Sequence, residues 1–330
     1  MYRKISLVRA LLIELTKYLL KSITISMNNR ARLTYSLMVL CGGASYGVLA
    51  SVVKLAYNQD LNFEELVSTQ AVFASICFLL AWAHNLARGR RRRRISWQGR
   101  LKLILMGLIT SGTTTFYYLS LSFIPATIAI TLLFQFTWIG LIFELVSTRK
   151  RPTNAALIAA GIIFIGTLFA SGAIGEGNLL SLSPIGVICG LLSALSCASF
   201  MFLSGKVEAD LPVTQRGLWA CMGYLCTGIA LCPHYLSLDI VGSGLASFGL
   251  LLGPLGFFLP MILFGIGCKY LSPGLSAIMA SSELPISILC SLFILHESLS
   301  AAQSVGILFI LVGIVVAEIP GIRNRKNILS

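Results

Sequence analysis

The chain has 330 residues, of which 56% are hydrophobic and only 11% are charged, and its formal net charge is +13. Soluble domains carry about 25% charged residues, so this composition excludes a water-soluble fold of this length. The apolar residues fall into blocks of roughly twenty, the length that a helix needs to cross a bilayer. A β-barrel would instead show alternating segments of about ten residues. We therefore expect an all-α integral membrane protein.

Residues 1–32 form a basic extension ahead of the apolar blocks. Five of its apolar residues share one helical face, namely Leu11, Leu12, Leu15, Leu19 and Ile23. This pattern predicts an amphipathic helix that lies on the membrane surface. Charges interrupt the apolar stretch and no small-residue cleavage site follows, which disfavours a signal peptide. A start of the biological protein at Met27 is an equally open interpretation.

Ten apolar blocks follow in chain order, and each predicts one transmembrane helix. The blocks are Leu33–Tyr57, Leu66–Leu86, Leu101–Leu121, Ala126–Val146, Ala155–Ser171, Ser183–Gly205, Gly217–Leu236, Leu245–Cys268, Gly274–Leu295 and Ala301–Ile319. The connections before the fourth and ninth blocks are very short and end in Pro125 and Pro273. Because proline ends the preceding helix, a tight hairpin is predicted at both places.

Basic residues are concentrated in alternate connections. If the N-terminus is cytoplasmic, Lys54 is the only one of the 25 Lys and Arg residues outside the cytoplasmic segments. The outer segments carry acidic residues, which are Asp60, Glu64, Glu65, Glu176, Asp239 and Glu297. This is the positive-inside pattern, and it predicts that both termini are cytoplasmic. The arginine run within Arg88–Arg94 is then a topology anchor near anionic lipid head groups, and nucleic-acid binding is not predicted.

Similar motifs recur at a nearly constant offset in the two halves of the chain. The offset is 148 or 147 positions for three pairs: Cys41-Gly42 with Cys189-Gly190, Pro125 with Pro273, and Ile163–Gly166 with Ile310–Gly313. An odd number of helices in a repeat inverts the second copy relative to the first. We therefore expect ten transmembrane helices as two inverted five-helix repeats, residues 33–171 and 183–319, followed by a cytoplasmic tail, residues 320–330. Such repeats are typical of secondary transporters.

Three motifs carry a resemblance to a known family. They are the Ser272-Pro273-Gly274 turn, the run Glu283-Leu284-Pro285 and the segment Glu297-Ser298-Leu299-Ser300. With the ten blocks, they resemble the EamA-type branch of the drug/metabolite transporter superfamily over about residues 34–319. The first half departs from the family pattern. Lys150-Arg151-Pro152-Thr153 stands where E-R-P-S is usual, and Gln135-Phe136-Thr137 lacks the expected proline.

The resemblance implies a multi-pass transporter of small metabolites in the bacterial cell (inner) membrane. It favours an exporter of amino-acid-like or related polar compounds that works by alternating access. Import or exchange of a nucleotide-like metabolite in the same fold is the alternative. A small-molecule substrate and the lipid bilayer are the partners that follow, and the sequence gives no indication of the oligomeric state.

Glu283 is the main candidate for the functional site. It lies near the middle of the ninth block, where an ionised carboxylate costs from about 2.5 to more than 10 kcal/mol. Such a group suits a proton carrier or the counter-charge of a cationic substrate. The alternative is a protonated side chain that is hydrogen-bonded to a neighbouring helix. Pro285 cannot donate to the carbonyl of Ser281, which predicts a kink beside Glu283.

Gln135 precedes Glu283 by 148 positions (283 − 135) and lies near the middle of the fourth block. Polar residues at equivalent depths in two repeats predict a site on the pseudo-symmetry axis. Taken alone, Gln135 fits better as a residue that hydrogen-bonds to a neighbouring helix.

Two further groups of candidates are predicted. The cavity-lining residues are Tyr46, Tyr117, Tyr118, Trp138 and Ser282, with Trp219 and Tyr224 as further aromatic candidates. The candidate gating hinges are Gly253, Pro254, Pro260 and Pro285. A deeply placed tyrosine or tryptophan needs a polar partner, although ordinary packing explains each one alone. Glycine and proline loosen a transmembrane helix, and close packing is the alternative here too.

Other functional classes find little support. The sequence has no G-x-x-x-x-G-K-[ST] phosphate loop, no C-x-x-C pair and no histidines at metal-ligand spacing, so neither ATP drive, a metal nor a cofactor is predicted. A membrane-embedded enzyme would need a cluster of catalytic residues at a membrane face, which only His296-Glu297 approaches. An enzyme is therefore not expected. Coupling to protons through Glu283 is a hypothesis.

Overall fold

The computed structural model describes residues 31–49, 51–89, 93–124, 126–149, 151–170, 183–294 and 300–329. This part of the chain is helical and contains no strand. Its helices are α1 Ala31–Tyr57, α2 Phe63–Ala87, α3 Trp97–Leu121, α4 Ala126–Leu133, α5 Phe136–Thr148, α6 Asn154–Ala170, α7 Pro184–Ser204, α8 Val213–Leu231, α9 Leu245–Gly253, α10 Leu259–Gly267, α11 Pro273–Ala280, α12 Glu283–Ile294 and α13 Ala301–Leu329. The predicted surface helix in the N-terminal extension lies outside the described residues.

Seven helical stretches in the described ranges are long and apolar enough to cross a membrane. They are Ala31–Tyr57, Phe63–Ala87, Ile128–Thr148, Pro184–Ser204, Leu245–Gly267, Pro273–Ile294 and Ala301–Glu318. The shorter α6 is also apolar, and α3 and α8 occupy the remaining two predicted blocks. The prediction of an all-helical, multi-pass membrane protein is confirmed.

Two predicted helix ends differ from the structure. The seventh block was expected to run to Leu236, but α8 ends at Leu231. Cys232 leaves the helical region, with φ −129° and ψ 76°, because the residue before a proline disfavours helical torsions and Pro233 follows. At the other end of the chain, α13 continues to Leu329, beyond the predicted end at Ile319.

The fourth and ninth blocks each contain two helices instead of one. The first break lies at Phe134–Gln135, between α4 and α5, and the second lies at Ser281–Ser282, between α11 and α12. At each break an amide donates three residues back, 3.1 Å from Gln135 N to Leu132 O and 3.2 Å from Ser281 N to Ile278 O. Pro285 predicted a kink near the second break. The first break occurs although neither α4 nor α5 contains a proline.

The eighth block contains a π-helical segment, Pro254–Phe258, between α9 and α10. The amide of Leu259 donates five residues back, as this geometry requires. In the same register the carbonyl of Leu255 would accept from Pro260, which has no N–H. Ser45 on α1 supplies the missing donor, because its hydroxyl lies 3.1 Å from Leu255 O.

Helices from the two halves of the chain pack against each other. α2 packs on α8, α5 packs on α11, and α6 runs along α13. α3 also packs on α7 and α8, while α9 and the π-helical segment pack on α2. α1 contacts α10, α11 and α12. The two halves are therefore interleaved rather than separate bundles.

The two ends of the bundle differ in charge. One end, which we term the basic end, consists of connections 88–96, 149–153, 205–212 and 268–272. An ion pair joins two of these connections, with Lys269 Nζ 2.7 Å from Asp210 Oδ1. This hydrogen bond holds the pKa of Asp210 below its ordinary value and that of Lys269 above. In the described connections at the opposite end, 58–62, 122–124 and 232–244, there is no lysine or arginine.

Candidate functional site

Glu283 is the first residue of α12 and directly follows the second break. Its side chain is half-buried. Among the residues that the structure describes, no cation pairs with this carboxylate. The backbone at this point is packed tightly, because a Cβ at Gly47 of α1 would collide with the carbonyl oxygen of Glu283. The protein thus holds a fixed acidic group in the interior of the bundle, on a surface that is not fully closed.

Three of the predicted lining tyrosines lie in the same region of the bundle as this carboxylate. Tyr46 of α1 and the adjacent Tyr117 and Tyr118 of α3 all lie within electrostatic range of Glu283. Tyr46 and Tyr117 are half-buried, and Tyr118 is buried. The rings of Tyr117 and Tyr118 have centroids 6.1 Å apart. The structure therefore brings tyrosines of α1 and α3 into the same region as the one acidic group of α12.

The sequence analysis missed two residues of this region. Tyr57 of α1 lies with its ring centroid 6.4 Å from that of Tyr118, and Cys197 of α7 lies within electrostatic range of Glu283. Tyr57 was interpreted only as the end of the first block. Its spacing of 11 residues from Tyr46 (57 − 46) is about three helical turns, which places both rings on one face. That spacing was the available signal, whereas nothing in the sequence distinguished Cys197.

Gln135 has a hydrogen-bond partner within the fourth block. Its amide Nε2 donates to Thr131 O at 3.0 Å, across the first break. The two breaks are instead connected by Thr137 and Ser281, whose hydroxyl oxygens lie 3.3 Å apart. Both of these residues are buried, with exposed fractions of 1% and 0%. The fourth and ninth blocks are thus in contact at their breaks through Thr137 and Ser281, whereas the predicted pairing of Gln135 with Glu283 stays a prediction.

The remaining lining candidates are packed more closely. Ser282 is buried, and its hydroxyl donates to Leu40 O of α1 at 2.7 Å, so that it fastens α1 to the second break. Trp138 is half-buried and packs against the hydrophobic core. Tyr224 is buried in α8, with its hydroxyl 3.3 Å from Thr114 Oγ1.

The four hinge candidates lie at the two irregular places of the second half. Gly253 ends α9, and Pro254 begins the π-helical segment. A Cβ at Gly253 would lie 2.6 Å from Cβ of Phe73, so the glycine allows α9 to approach α2. Pro260 is buried in the first turn of α10, and Pro285 is buried two positions after Glu283.

Arg216 of α8 is a second charged side chain inside the protein, and its side chain is fully buried. Its guanidinium donates to Ser204 O at 2.6 Å and to Gly265 O at 3.1 Å, near the C-terminal ends of α7 and α10. The carbonyls at a helix C-terminus carry partial negative charge, which stabilises a cation there. The sequence analysis had counted Arg216 only as a basic residue of a cytoplasmic segment.

Comparison with known proteins decides the family. The model of the EamA-like transporter family matches residues 33–172 and again residues 184–318. This chain belongs to the EamA-like transporter family. The resemblance noted in the sequence is thereby confirmed for this EamA-like chain, including its second half around Glu283. His296 and Glu297, the segment considered for an enzyme, lie outside the described residues.

Two known proteins are similar to this chain. An "Uncharacterized transporter" of Archaeoglobus fulgidus is 32% identical over 148 residues, which are 43% of this chain and 52% of that protein. The match thus spans about half the length of that relative. A solved crystal structure matches with a TM-score of 0.67 and 22% identity, over 84% of this chain and 97% of the other. At this identity the match shows a shared fold.

Proposed function

We propose that this EamA-like protein is a secondary transporter that exports small polar metabolites, amino-acid-like compounds in particular, by alternating access. The observation that carries the proposal is the half-buried carboxylate of Glu283 in the interior of the bundle, which pairs with no cation of the described residues. A charge of this kind is rare inside a membrane protein and marks a substrate or ion pathway more often than a packing contact. Export and the polar substrate class follow from the family resemblance.

The chemistry of the site supports a cationic or protonated partner. An ionised carboxylate inside a membrane protein is costly unless it is paired, hydrated or protonated. Tyrosine hydroxyls can donate hydrogen bonds to the carboxylate, and tyrosine rings attract an ammonium group. Glu283 with Tyr46, Tyr117 and Tyr118 can therefore bind either a proton or the amino group of a substrate. We propose proton coupling through Glu283.

Alternating access is supported by the packing of the two halves. We propose that residues 33–171 and 183–319 are inverted repeats of five transmembrane helices each. In that scheme α2 is equivalent to α8 and α6 to α13, and both pairs are in contact across the two halves, while α5 of the fourth block contacts α11 of the ninth. The two breaks lie at corresponding positions, and one family model matches both halves. Inverted repeats allow a protein to exchange inward-open and outward-open states around a central site.

The proposed orientation places the basic end in the cytoplasm of a bacterial cell, with the protein in the inner membrane. Cytoplasmic connections of membrane proteins carry an excess of lysine and arginine, which fits the connections of the basic end. Gly253, Pro254, Pro260 and Pro285 are the proposed hinges. Irregular helical geometry at two places, each joined to α1 by one hydrogen bond, favours bending there.

Transport in proteoliposomes under an imposed pH gradient tests the proposal. Wild-type protein is compared with Glu283→Gln over a panel of labelled amino acids and related metabolites, with uptake and efflux measured separately. The matched control is Asp60→Asn, because Asp60 is exposed and has a φ of 59°, a conformation that asparagine also adopts. We expect wild type and the control to concentrate at least one compound against its gradient. We expect Glu283→Gln to lose this pH-driven accumulation.

Full pH-dependent flux by Glu283→Gln would contradict the coupling role. Absence of flux for every compound in a folded wild-type preparation would contradict transport of this substrate class. A compound that accumulates only in the uptake direction would reverse the proposed direction and leave the site assignment intact.

A further inference from the structure

A cavity of about 400 Å³ opens at the basic end, just before the start of α3. It is lined by Arg93, Arg94, Ile95 and Arg100. Three of the four lining side chains are therefore cationic, and none is acidic. This volume exceeds that of a simple ion and suits a phosphate group with an attached head group.

Two of the three arginines of this cavity, Arg93 and Arg100, are held by contacts with other parts of the chain. Arg93 donates from a guanidinium nitrogen to Asp210 O at 2.9 Å, and its own carbonyl accepts from Gln215 Nε2 at 2.8 Å. Arg100 lies over the ring of Trp219, with Cζ 5.2 Å from the ring centroid. Its Nε is buried and has no hydrogen-bond partner in the described chain. The guanidinium groups of Arg93 and Arg100 are thus positioned by the protein itself, and the exposed Arg94 adds a third positive charge.

An exposed apolar stripe begins beside the cavity and continues along α3. It consists of Trp97, Leu101, Leu105 and Leu108, with exposed fractions of 74%, 57%, 53% and 39%. Their spacing of four, four and three residues places them on one face of the helix. Exposed leucines on a membrane-spanning helix face lipid. Trp97 lies next to the cavity, and tryptophan is enriched at the boundary between head groups and acyl chains.

We propose that this cavity binds the phosphate of an anionic phospholipid, with its acyl chains against the stripe of α3. Basic pockets beside transmembrane helices bind anionic head groups, and the three arginines supply the charge. The apolar stripe and the Ile95 side chain favour a lipid over a free phosphate ion, because a free ion would gain nothing from them. This site is separate from Glu283 and does not depend on the proposed transport.

The test measures the lipids that stay bound to the full-length protein in native mass spectrometry. The protein is purified in detergent with equal amounts of phosphatidylglycerol and phosphatidylcholine. The cavity variant is Arg94→Gln with Arg100→Gln, and the matched control is Arg149→Gln with Arg151→Gln, which removes two charges at the same end outside the cavity. We expect wild type and the control to retain one phosphatidylglycerol in preference to phosphatidylcholine. We expect binding to weaken about fivefold for each cavity arginine removed.

Two further arms distinguish the lipid from its head group. Inorganic phosphate in excess should leave the bound phosphatidylglycerol in place, and phosphatidylglycerol with six-carbon chains should bind at least about tenfold more weakly than the long-chain form. Equal retention by wild type and the cavity variant would overturn the proposal, as would displacement by inorganic phosphate. Arg94→Gln alone gives a second measurement if the double variant does not fold, since Arg94 is exposed.

Discussion

Among the residues that the structure describes, Arg216 and Glu283 are charged side chains within the bundle, and their surroundings differ. Arg216 is fully buried, and two carbonyls near the ends of α7 and α10 accept its hydrogen bonds. Glu283 is half-buried beside a break in its helix, and no cation of the described chain pairs with it. Carbonyl groups near two helix ends thus stabilise the first charge, whereas no cation of the described residues stabilises the second.

We propose that this difference distinguishes a charge that stabilises the fold, Arg216, from a charge that serves transport, Glu283. A buried charge with hydrogen-bond partners costs several kcal/mol when the charge is removed and its partners remain. A charge without partners contributes little to folding, so its presence is explained better by binding. The following predictions test this contrast in order of decreasing effect on the free energy of unfolding.

The largest effect is expected for Arg216→Ala. The substitution leaves Ser204 O and Gly265 O without their donor and creates a cavity, so the free energy of unfolding should fall by about 3 kcal/mol. Unfolding in detergent micelles, followed by circular dichroism against denaturant, measures this change. Arg149→Ala at an exposed position is the control and should behave as wild type. Equal stability of Arg216→Ala and wild type would remove the distinction between the two charges.

A smaller change of opposite sign is expected for Glu283→Gln. Because the amide needs no counter-charge, the free energy of unfolding should stay the same or rise by up to about 1 kcal/mol. The same denaturant titration measures it, and the transport assay above should show the loss of pH-driven accumulation in the same preparation. A variant that lost stability as well as accumulation would mean that Glu283 holds the fold.

The contact between the two breaks should contribute about 0.6 kcal/mol, the usual value for a hydrogen bond between membrane helices. Thr137→Val, Ser281→Ala and the combined variant form a double-mutant cycle that isolates this coupling energy. Coupling near zero would show that the two interrupted helices are positioned by apolar packing alone.

The smallest effect is expected for Pro285→Thr, which gives the ninth block the residue found 148 positions earlier, Thr137 (285 − 137). Since α5 follows a break without any proline, we expect the break at Ser281–Ser282 to persist. The new N–H should raise the free energy of unfolding by about 0.5 kcal/mol. Distances between spin labels on α11 and α12 report the angle at the break. A straightened helix would show that Pro285 causes the break.

Much of the fold could be predicted from composition and periodicity. A helix in lipid must be apolar over a fixed length, so the positions of the long helices can be predicted directly from the sequence. Glu283 could be identified because a charge in such a stretch is rare. The tyrosines near it could be named, although only the structure shows that Tyr46 and Tyr117 approach the same carboxylate.

The remaining features depend on contacts between distant parts of the chain. No proline marks the break at Phe134–Gln135 in the sequence. The break is accompanied by a hydrogen bond from Gln135 to Thr131 and by one between the hydroxyls of Thr137 and Ser281. The burial of Arg216 depends on where α7 and α10 end. A helix that is interrupted by contacts with its neighbours shows no local pattern in the sequence. The same is true of a charge that is stabilised by the ends of distant helices.

The two hydroxyl bonds at α1 have a mechanical consequence. Ser45 of α1 donates to the π-helical segment, and Ser282 at the second break donates back to Leu40 of the same helix. One helix of the first half, α1, thus contacts both irregular places of the second half. A shift of α1 by one helical turn along its axis would break both hydrogen bonds at once. The π-helical segment and the second break are therefore mechanically coupled through α1, and a movement of α1 along its axis affects both.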